Sequence, residues 1–442
     1  MNALPVAASE AQALLAPLAE FPKVALAVSG GPDSVALMQL AARWRAGLGK
    51  GPQISVVTVD HGLRAASREE AEQVGRIASG LGLPHAILTW ADQQPSAASL
   101  QERARAARYG LMASYCHAAG IPALVTAHHI DDQAETFLMR LKRGSGLDGL
   151  AAIPERGAWA GIAILRPLLD VPKARLVATL DAAGIAFVSD PSNLDLRFER
   201  VRMRGSADAL ASLGLTPEAI ALSARRLRRA REALEQAAHD FLAKHSEVSE
   251  AGYAVVDHDA LASAPQEIAL RALAQLIAAV GGGEAPPRLA KLETLLAGVE
   301  AHRDKAHTLG RCRIAPIEGR LGIFREVRGE GLPVAELLPG ERTLWDNRFQ
   351  IELGTKEPSP IVVKALGEAG LRELRERQTL PSALPRLAGL TLPACWRGEL
   401  LLGLPTLGRT VTGGPSGIDC RAIFVGAGTA LHGRGTAAAS GR

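Results

Sequence analysis

Cysteine is scarce in this 442-residue chain: Cys116, Cys312, Cys395 and Cys420 form no Cys-x-x-Cys pair and match no histidine spacing. That excludes a zinc module and a disulfide framework, and scattered thiols fit a reducing cytoplasm. No apolar run reaches the roughly 18–20 residues that cross a bilayer. The stretch from Met1 to Glu20 has neither a basic n-region nor a small-residue cleavage site, so no membrane association or export is expected. Charge of one sign is also lacking. A formal net charge of +4 does not by itself indicate a nucleic-acid partner. Hydrophobic residues at 47% and charged residues at 22% argue against long disorder, collagen-like repeats and a coiled-coil rod. At roughly 100–200 residues per domain, the length predicts two to four domains.

What is present begins with alternation. Lys23–Val28, Ile54–Asp60, His85–Trp90 and Ala123–His128 are short, rich in branched residues and bounded by Gly or Pro, and read as buried strands. Between them, Ser67 with Glu69 and Glu70 reads as a capped helix start, and Ala97–Ala119 is rich in helix formers. Strand alternating with helix predicts βαβ units around a parallel sheet, with ligands beyond the carboxyl ends of its strands. After Asn193 the chain turns Arg-rich and Ala-rich, with helices expected over Thr216–His245, Ala264–Val280 and Pro287–Val299. Short alternating runs follow Asp304, and a further β-rich module begins near Leu332. Nine arginines between Arg197 and Arg231 form a local positive stripe, equally well read as a solvated helix face.

Three clusters carry chemistry. Ser29-Gly30-Gly31-Pro32-Asp33-Ser34 follows a strand and opens a helix. Glycines there let backbone N–H groups approach an anion, the serine hydroxyls add donors, and the helix amino terminus supplies positive potential. It is not a Walker A loop: no Gly-Lys-Ser/Thr is present, and Asp33 would repel a bare phosphate unless Mg²⁺ stands between them. The second cluster runs from Ala127 through His128, His129, Asp131 and Asp132 to Glu135 and Thr136, placing carboxylates at a strand end. Asp132 and Glu135 share a helix face and could bind an amino group, hold Mg²⁺ or act as a base. The bland alternatives are a helix cap for the aspartates and a satisfied strand-end pair for the histidines, and capping suits Asp131 but not the whole cluster. The third cluster is Asp190-Pro191-Ser192-Asn193 followed by Phe198, Arg200, Arg202 and Arg204, where Asn193 and the arginines can hold a carboxylate or a phosphate.

The first loop resembles the signature of the PP-loop ATP pyrophosphatases, which cleave ATP to AMP and pyrophosphate to adenylate a substrate. The run from Ala127 to Thr136, continuing through Arg140 to Leu147, together with Val59-Asp60-His61-Gly62-Leu63-Arg64, is similar to the tRNA(Ile)-lysidine synthases, over about Lys23–Arg204. That resemblance implies an α/β fold: an N-terminal doubly wound parallel sheet of the PP-loop type, then a helical domain and a smaller C-terminal α+β or β-rich domain. The expected divisions are 1–205 for catalysis, 206–330 for a helical linker and substrate binding, and 331–442 for tRNA binding with a disordered tail. It implies ATP held by Ser29, Gly30, Gly31, Pro32, Asp33 and Ser34, with adenine at Asp60 and His61, and Mg²⁺ at Asp33. It further implies catalysis through Asp33, Asp132, Glu135 and Arg204, and substrate binding by Arg108, Asp132, Arg143, Asn193, Arg200 and Arg204. The implied partners are free L-lysine and tRNA(Ile) with a CAU anticodon, with no metal cluster. Two competing readings are another PP-loop tRNA-modifying enzyme such as a thiolase, and a non-catalytic RNA-binding protein. The first needs a sulfur-carrying cysteine, and the catalytic half has only Cys116, inside an expected helix. The second leaves the phosphate loop and the carboxylates without purpose.

Overall fold

The computed structural model describes residues 3–60, 62, 66–90, 100–188, 199–283, 286–327, 329, 331–410 and 418–426. The chain separates into two compact units, Met1–Arg231 and Glu232–Arg442.

The first unit is built on six strands: β1 (Lys23–Ala27), β2 (Gln53–Asp60), β3 (His85–Thr89), β4 (Ala123–Val125), β5 (Arg156–Trp159) and β6 (Ile162–Leu165). Their order in the sheet is β3-β2-β1-β4-β6-β5, parallel throughout except for the β5–β6 hairpin at one edge. The period of two along β1 divides the core between the sheet's faces. Val24 and Leu26 join one cluster and Ala25 the other. The helices are α1 (Ala8–Leu15), α2 (Pro32–Ala46), α3 (Ala66–Gly80), α4 (Leu100–Ala118), α5 (Ile130–Lys142), α6 (Leu147–Leu150), α7 (Lys173–Ala183), α8 (Glu199–Gly205), α9 (Ala207–Ser212) and the first half of α10 (Pro217–His245). Val35 and Leu37 of α2, Val74 of α3 and Leu176 of α7 fill the first cluster, and Tyr109, Met112 and Cys116 of α4 fill the second. Successive strands run outward from β1 to β3 and then return to β1's other side at β4. The chain thus leaves neighbouring strands in opposite directions, opening a crevice at their carboxyl ends. Strand β3 is half-buried rather than buried because it is the sheet's other edge.

In the second unit, β7 (Ser246–Val248), β8 (Ala254–Val256), β9 (His307–Leu309), β10 (Cys312–Ile317) and β11 (Arg320–Arg325) form an antiparallel sheet in the order β7-β8-β11-β10-β9. Helices α11 (His258–Ser263), α12 (Gln266–Gly281) and α13 (Leu289–Ala301) accompany it, and Leu273, Leu276, Leu295, Ile314 and Ile323 share its core. Strands β12 (Ala335–Leu337), β15 (Ile361–Ala365), β16 (Pro393–Arg397), β17 (Leu400–Leu404) and β18 (Arg409–Thr410) form a second sheet. A third holds β13 (Arg342–Trp345), β14 (Phe349–Leu353) and β19 (Cys420–Phe424). Helices α14 (Gly367–Glu376) and α15 (Arg386–Leu390) complete the unit.

Arg348 is fully buried and joins separate parts of the second unit: its guanidinium donates to Asp346 Oδ2 (2.7 Å), Gly252 O (3.3 Å) and Thr391 O (3.2 Å). Asp346 is also gripped by Arg325 through two 2.9 Å bonds. Burial pulls the Arg348 guanidinium down to about 10 against the opposing pull of Asp346, so the charge survives at neutral pH. Arg348→Ala is expected to cost about 3–5 kcal/mol, because it strands two carbonyls and removes one of Asp346's cations. Arg348→Lys should restore little, since one ammonium cannot reproduce the planar fork. Denaturant titration checks this, and wild-type stability for the alanine variant would refute the structural role.

Candidate active site

The phosphate-type loop sits where β1 meets α2. Pro32 takes the first helical position, where a missing N–H costs nothing, and Gly31 is the extended N-cap. Gly30 has φ +89°, and a Cβ there would meet Val74 and Val188 side chains only at 3.4 and 3.5 Å, so the backbone angle, not lack of room, selects glycine. Its carbonyl accepts the Val188 N–H at 2.9 Å. The buried Ser34 hydroxyl accepts the Ser29 N–H (3.1 Å), donates to Gly31 O (3.0 Å) and lies 3.3 Å from the Ser29 hydroxyl. The loop is thereby shaped from within, leaving the exposed Ser29 hydroxyl at its rim.

Beside it, at the end of β4, His129 is the extended N-cap of α5, and its N–H donates to Asp132 Oδ2 at 3.1 Å. Asp131 turns the other way and accepts the backbone N–H of Lys173 (3.0 Å), fixing the start of α7. The imidazole lies at the centre of these carboxylates with its side chain 2% exposed. Nε2 is 3.4 Å from Asp33 Oδ2 and 3.5 Å from Asp132 Oδ2, and Nδ1 is 3.3 Å from Asp131 Oδ2. The Nδ1 contact is one of charge, not an aligned hydrogen bond. Burial alone would lower the imidazole, but Asp131, Asp33 and Asp132 overcome it and raise it to about 10, so His129 is a cation at neutral pH. Burial likewise opposes ionisation of Asp33 and Asp131, yet His129, with Lys173, holds both below the ordinary carboxylate range.

Further along α5, Glu135 forms a fork with Arg204 of α8: Nε to Oε1 at 2.5 Å and Nη2 to Oε2 at 3.3 Å. Arg204 Nη2 also lies 3.9 Å from Asp132 Oδ1, so Asp132, Glu135 and Arg204 form one polar surface continuous with Asp33 through His129. Burial pushes the Glu135 carboxyl up, and Arg204 offsets that only in part. Arg200, one turn before Arg204, lies close enough for its charge to oppose that rise.

Arg143 caps the far end of α5, about 16 Å along the axis from Asp132 at 1.5 Å per residue. With Lys142 it binds Glu199 (2.7 and 3.2 Å), tying down the start of α8 and so positioning Arg204. Arg108 lies on α4 with its guanidinium 5.7 Å from the Tyr109 ring centre. The Asp60 carboxylate accepts from Gly62 N–H (2.9 Å) and the Ser67 hydroxyl (2.5 Å), which shapes the β2–α3 turn. His61 and Asn193 fall outside the described residues. The arginine stripe on α10 divides. Arg225 pairs with Asp170 and the buried Arg228 binds Ile153 O (2.9 Å) and Glu155 (3.0 Å), whereas Arg226 and Arg229 are exposed.

Sequence reasoning missed the central place of His129 and gave no role to Lys173. The Lys173 ammonium stands 3.4 Å from Asp33 Oδ2. It belongs to no motif and is brought in only by the β6–α7 connection. The other Asp33 oxygen, Oδ1, is buried without a hydrogen-bond partner, an orphan acceptor suited to a hard cation such as Mg²⁺. Among the described residues no group of three His, Cys, Asp or Glu could hold a metal by itself, in keeping with an ion that takes one carboxylate and substrate phosphates.

Because His129 is raised from 6.5 to about 10 on folding, its stabilising contribution is complete below pH 6.5 and is lost as pH rises through about 10. Asp33 and Asp131 are shifted the other way, so theirs is present above 3.8 and lost on acidification. Thermal unfolding of the Mg²⁺-free protein should therefore weaken from pH 6.5 towards 10. His129→Gln should flatten that slope and cost on the order of 3 kcal/mol at pH 6. An unchanged slope would show that the imidazole is not the cation described.

Comparison with known proteins identifies relatives over most of the chain. The PP-loop domain family matches residues 4–207. A tRNA(Ile)-lysidine synthase of Bradyrhizobium sp. is 48% identical over 302 residues, covering 66% of this chain and 84% of the relative. That of Methylobacterium nodulans is 50% identical over 279 residues (62% and 80%), and that of Ruegeria pomeroyi 37% over 393 residues (87% and 89%). A PP-loop shaped as above, a carboxylate-lined crevice beside it and relatives matched over most of their length lead to one assignment: the chain belongs to the tRNA(Ile)-lysidine synthase family.

Proposed function

We propose that the protein uses ATP to join free L-lysine to the wobble cytidine of tRNA(Ile) bearing a CAU anticodon, through an adenylated cytidine. The observation that carries this is the meeting of an ATP-type loop with the Asp132, Glu135 and Arg204 surface across His129. Cytidine O2 attacks the α-phosphate of ATP, forming an O–P bond and releasing pyrophosphate. The ε-amine of lysine then attacks C2, the C2–O bond breaks, AMP leaves, and the amine's surplus proton passes to a base.

In this reading the loop Ser29–Ser34 offers backbone N–H groups and the α2 amino terminus to the phosphates. Asp33, whose buried Oδ1 lacks a partner, would hold Mg²⁺, and the ion would supply charge neutralisation for pyrophosphate. Asp60 and His61 border the adenine, and Arg108, Arg143, Asn193 and Arg200 contribute to substrate binding. Asp132 and Glu135 orient the amino groups of lysine and Arg204 its carboxylate. Glu135, which burial raises against the pull of Arg204, is the nearby carboxylate that would serve as that base. Residues 206–330 and 331–442 serve the tRNA, with the exposed Arg226 and Arg229 meeting its phosphates. No helix among the described residues is long and apolar enough to cross a membrane, which is compatible with work in the cytoplasm.

The test is incubation with ATP, Mg²⁺, labelled lysine and tRNA(Ile) carrying CAU, reading label on the tRNA. Incorporation is expected, with loss of roughly a hundredfold or more in Asp33→Ala and Ser34→Ala proteins that remain folded by circular dichroism. Absence of label with wild-type protein overturns the reading. Near wild-type rates in either variant overturn the loop assignment.

A further inference from the structure

Lys173 occupies a place that the motifs do not account for. It is the first residue of α7, and its backbone N–H already satisfies Asp131, so helix initiation does not depend on the side chain. The ammonium reaches back to Asp33 Oδ2, its one partner among the described residues, at a long 3.4 Å. An ammonium has three donors, and one long contact leaves most of that capacity unspent. His129 and Lys173 are the two cations on Asp33, but their access differs sharply. The imidazole is 2% exposed and cannot meet a ligand, whereas the Lys173 side chain is 38% exposed beside the phosphate loop. Asp33 itself brings a negative charge to a loop built for anions, which needs a mobile cation as well as a metal if a polyphosphate is to enter.

We propose that Lys173 is a further catalytic residue, whose ammonium moves from Asp33 to the leaving pyrophosphate portion of bound ATP. This rests on the ATP-dependent reading above and names one more residue for it. On nucleotide entry the ammonium exchanges its weak contact with Asp33 for charge-assisted hydrogen bonds to phosphate oxygens, and it stabilises the charge that builds there as the α–β bridge breaks.

The experiment measures binding of ATP, pyrophosphate and AMP, each with Mg²⁺, by calorimetry for wild type, Lys173→Met and Lys173→Arg, together with tRNA-dependent pyrophosphate release. Lys173→Met should weaken ATP and pyrophosphate at least about tenfold, leave AMP within about twofold, and slow pyrophosphate release, while Lys173→Arg keeps most of each. Unchanged ATP and pyrophosphate affinity in Lys173→Met overturns the proposal, as does an equal loss for AMP, which marks a general collapse of the loop. Failure of the wild-type protein to bind ATP is a different result, because it removes the ATP reading and this role with it.

Discussion

The charge on His129 is the constraint on which the site depends, because three carboxylates from two segments converge on that one imidazole. Asp33 arrives on the first turn of α2, Asp131 and Asp132 on the first turn of α5, and the ring sits between them almost sealed from water. Without a cation at that point, the segments would repel each other at the distance the sheet imposes. With it, the Ser29–Ser34 loop and the carboxylates at the start of α5 are locked in register. Lys173 adds a second, movable charge at the open side of the same group.

The sheet makes that convergence possible. Neighbours β1 and β4 carry the loop and α5 at their carboxyl ends, and the chain departs from them in opposite directions, leaving a crevice. Arg204 completes the wall from α8, whose first residue is held by Lys142 and Arg143 at the distant end of α5. Arg143 thus positions the site's arginine from afar, in addition to the substrate contact that the family resemblance implies. The second unit relies on similar physics: buried Arg348 with Asp346 and Arg325 fastens loops that hydrophobic packing alone would leave unregistered.

Local patterns made the first unit legible. Strands β1 to β4 begin within a residue of where branched residues and flanking Gly or Pro put them, and the loop's special backbone shows in Gly30 and Pro32. The β5–β6 hairpin gave no such signal, since Arg156–Trp159 is four residues long and mostly exposed. The three-residue strands β7 and β8 are equally short, so the sheet within residues 206–330 was expected only as a small module after Asp304. In the site, Asp132 and Glu135 could be paired from their spacing, and Arg204 came from the family resemblance. His129 read as a satisfied pair because nothing in a linear sequence says that Asp33, ninety-six positions earlier, completes its ring of anions. Lys173 was invisible for the same reason, at 140 positions from Asp33.

In the proposed reaction the adenylated atom belongs to the tRNA base, and lysine enters afterwards. Acidic residues at Asp132 and Glu135 suit an incoming amine and would repel a carboxylate approaching as nucleophile. The most direct measurement is pyrophosphate release from ATP with lysine alone, with tRNA(Ile) alone and with both. Release is expected to require tRNA, to proceed without lysine, and to rise when lysine turns the adenylated base over. Release or pyrophosphate exchange driven by lysine in the absence of tRNA would contradict it.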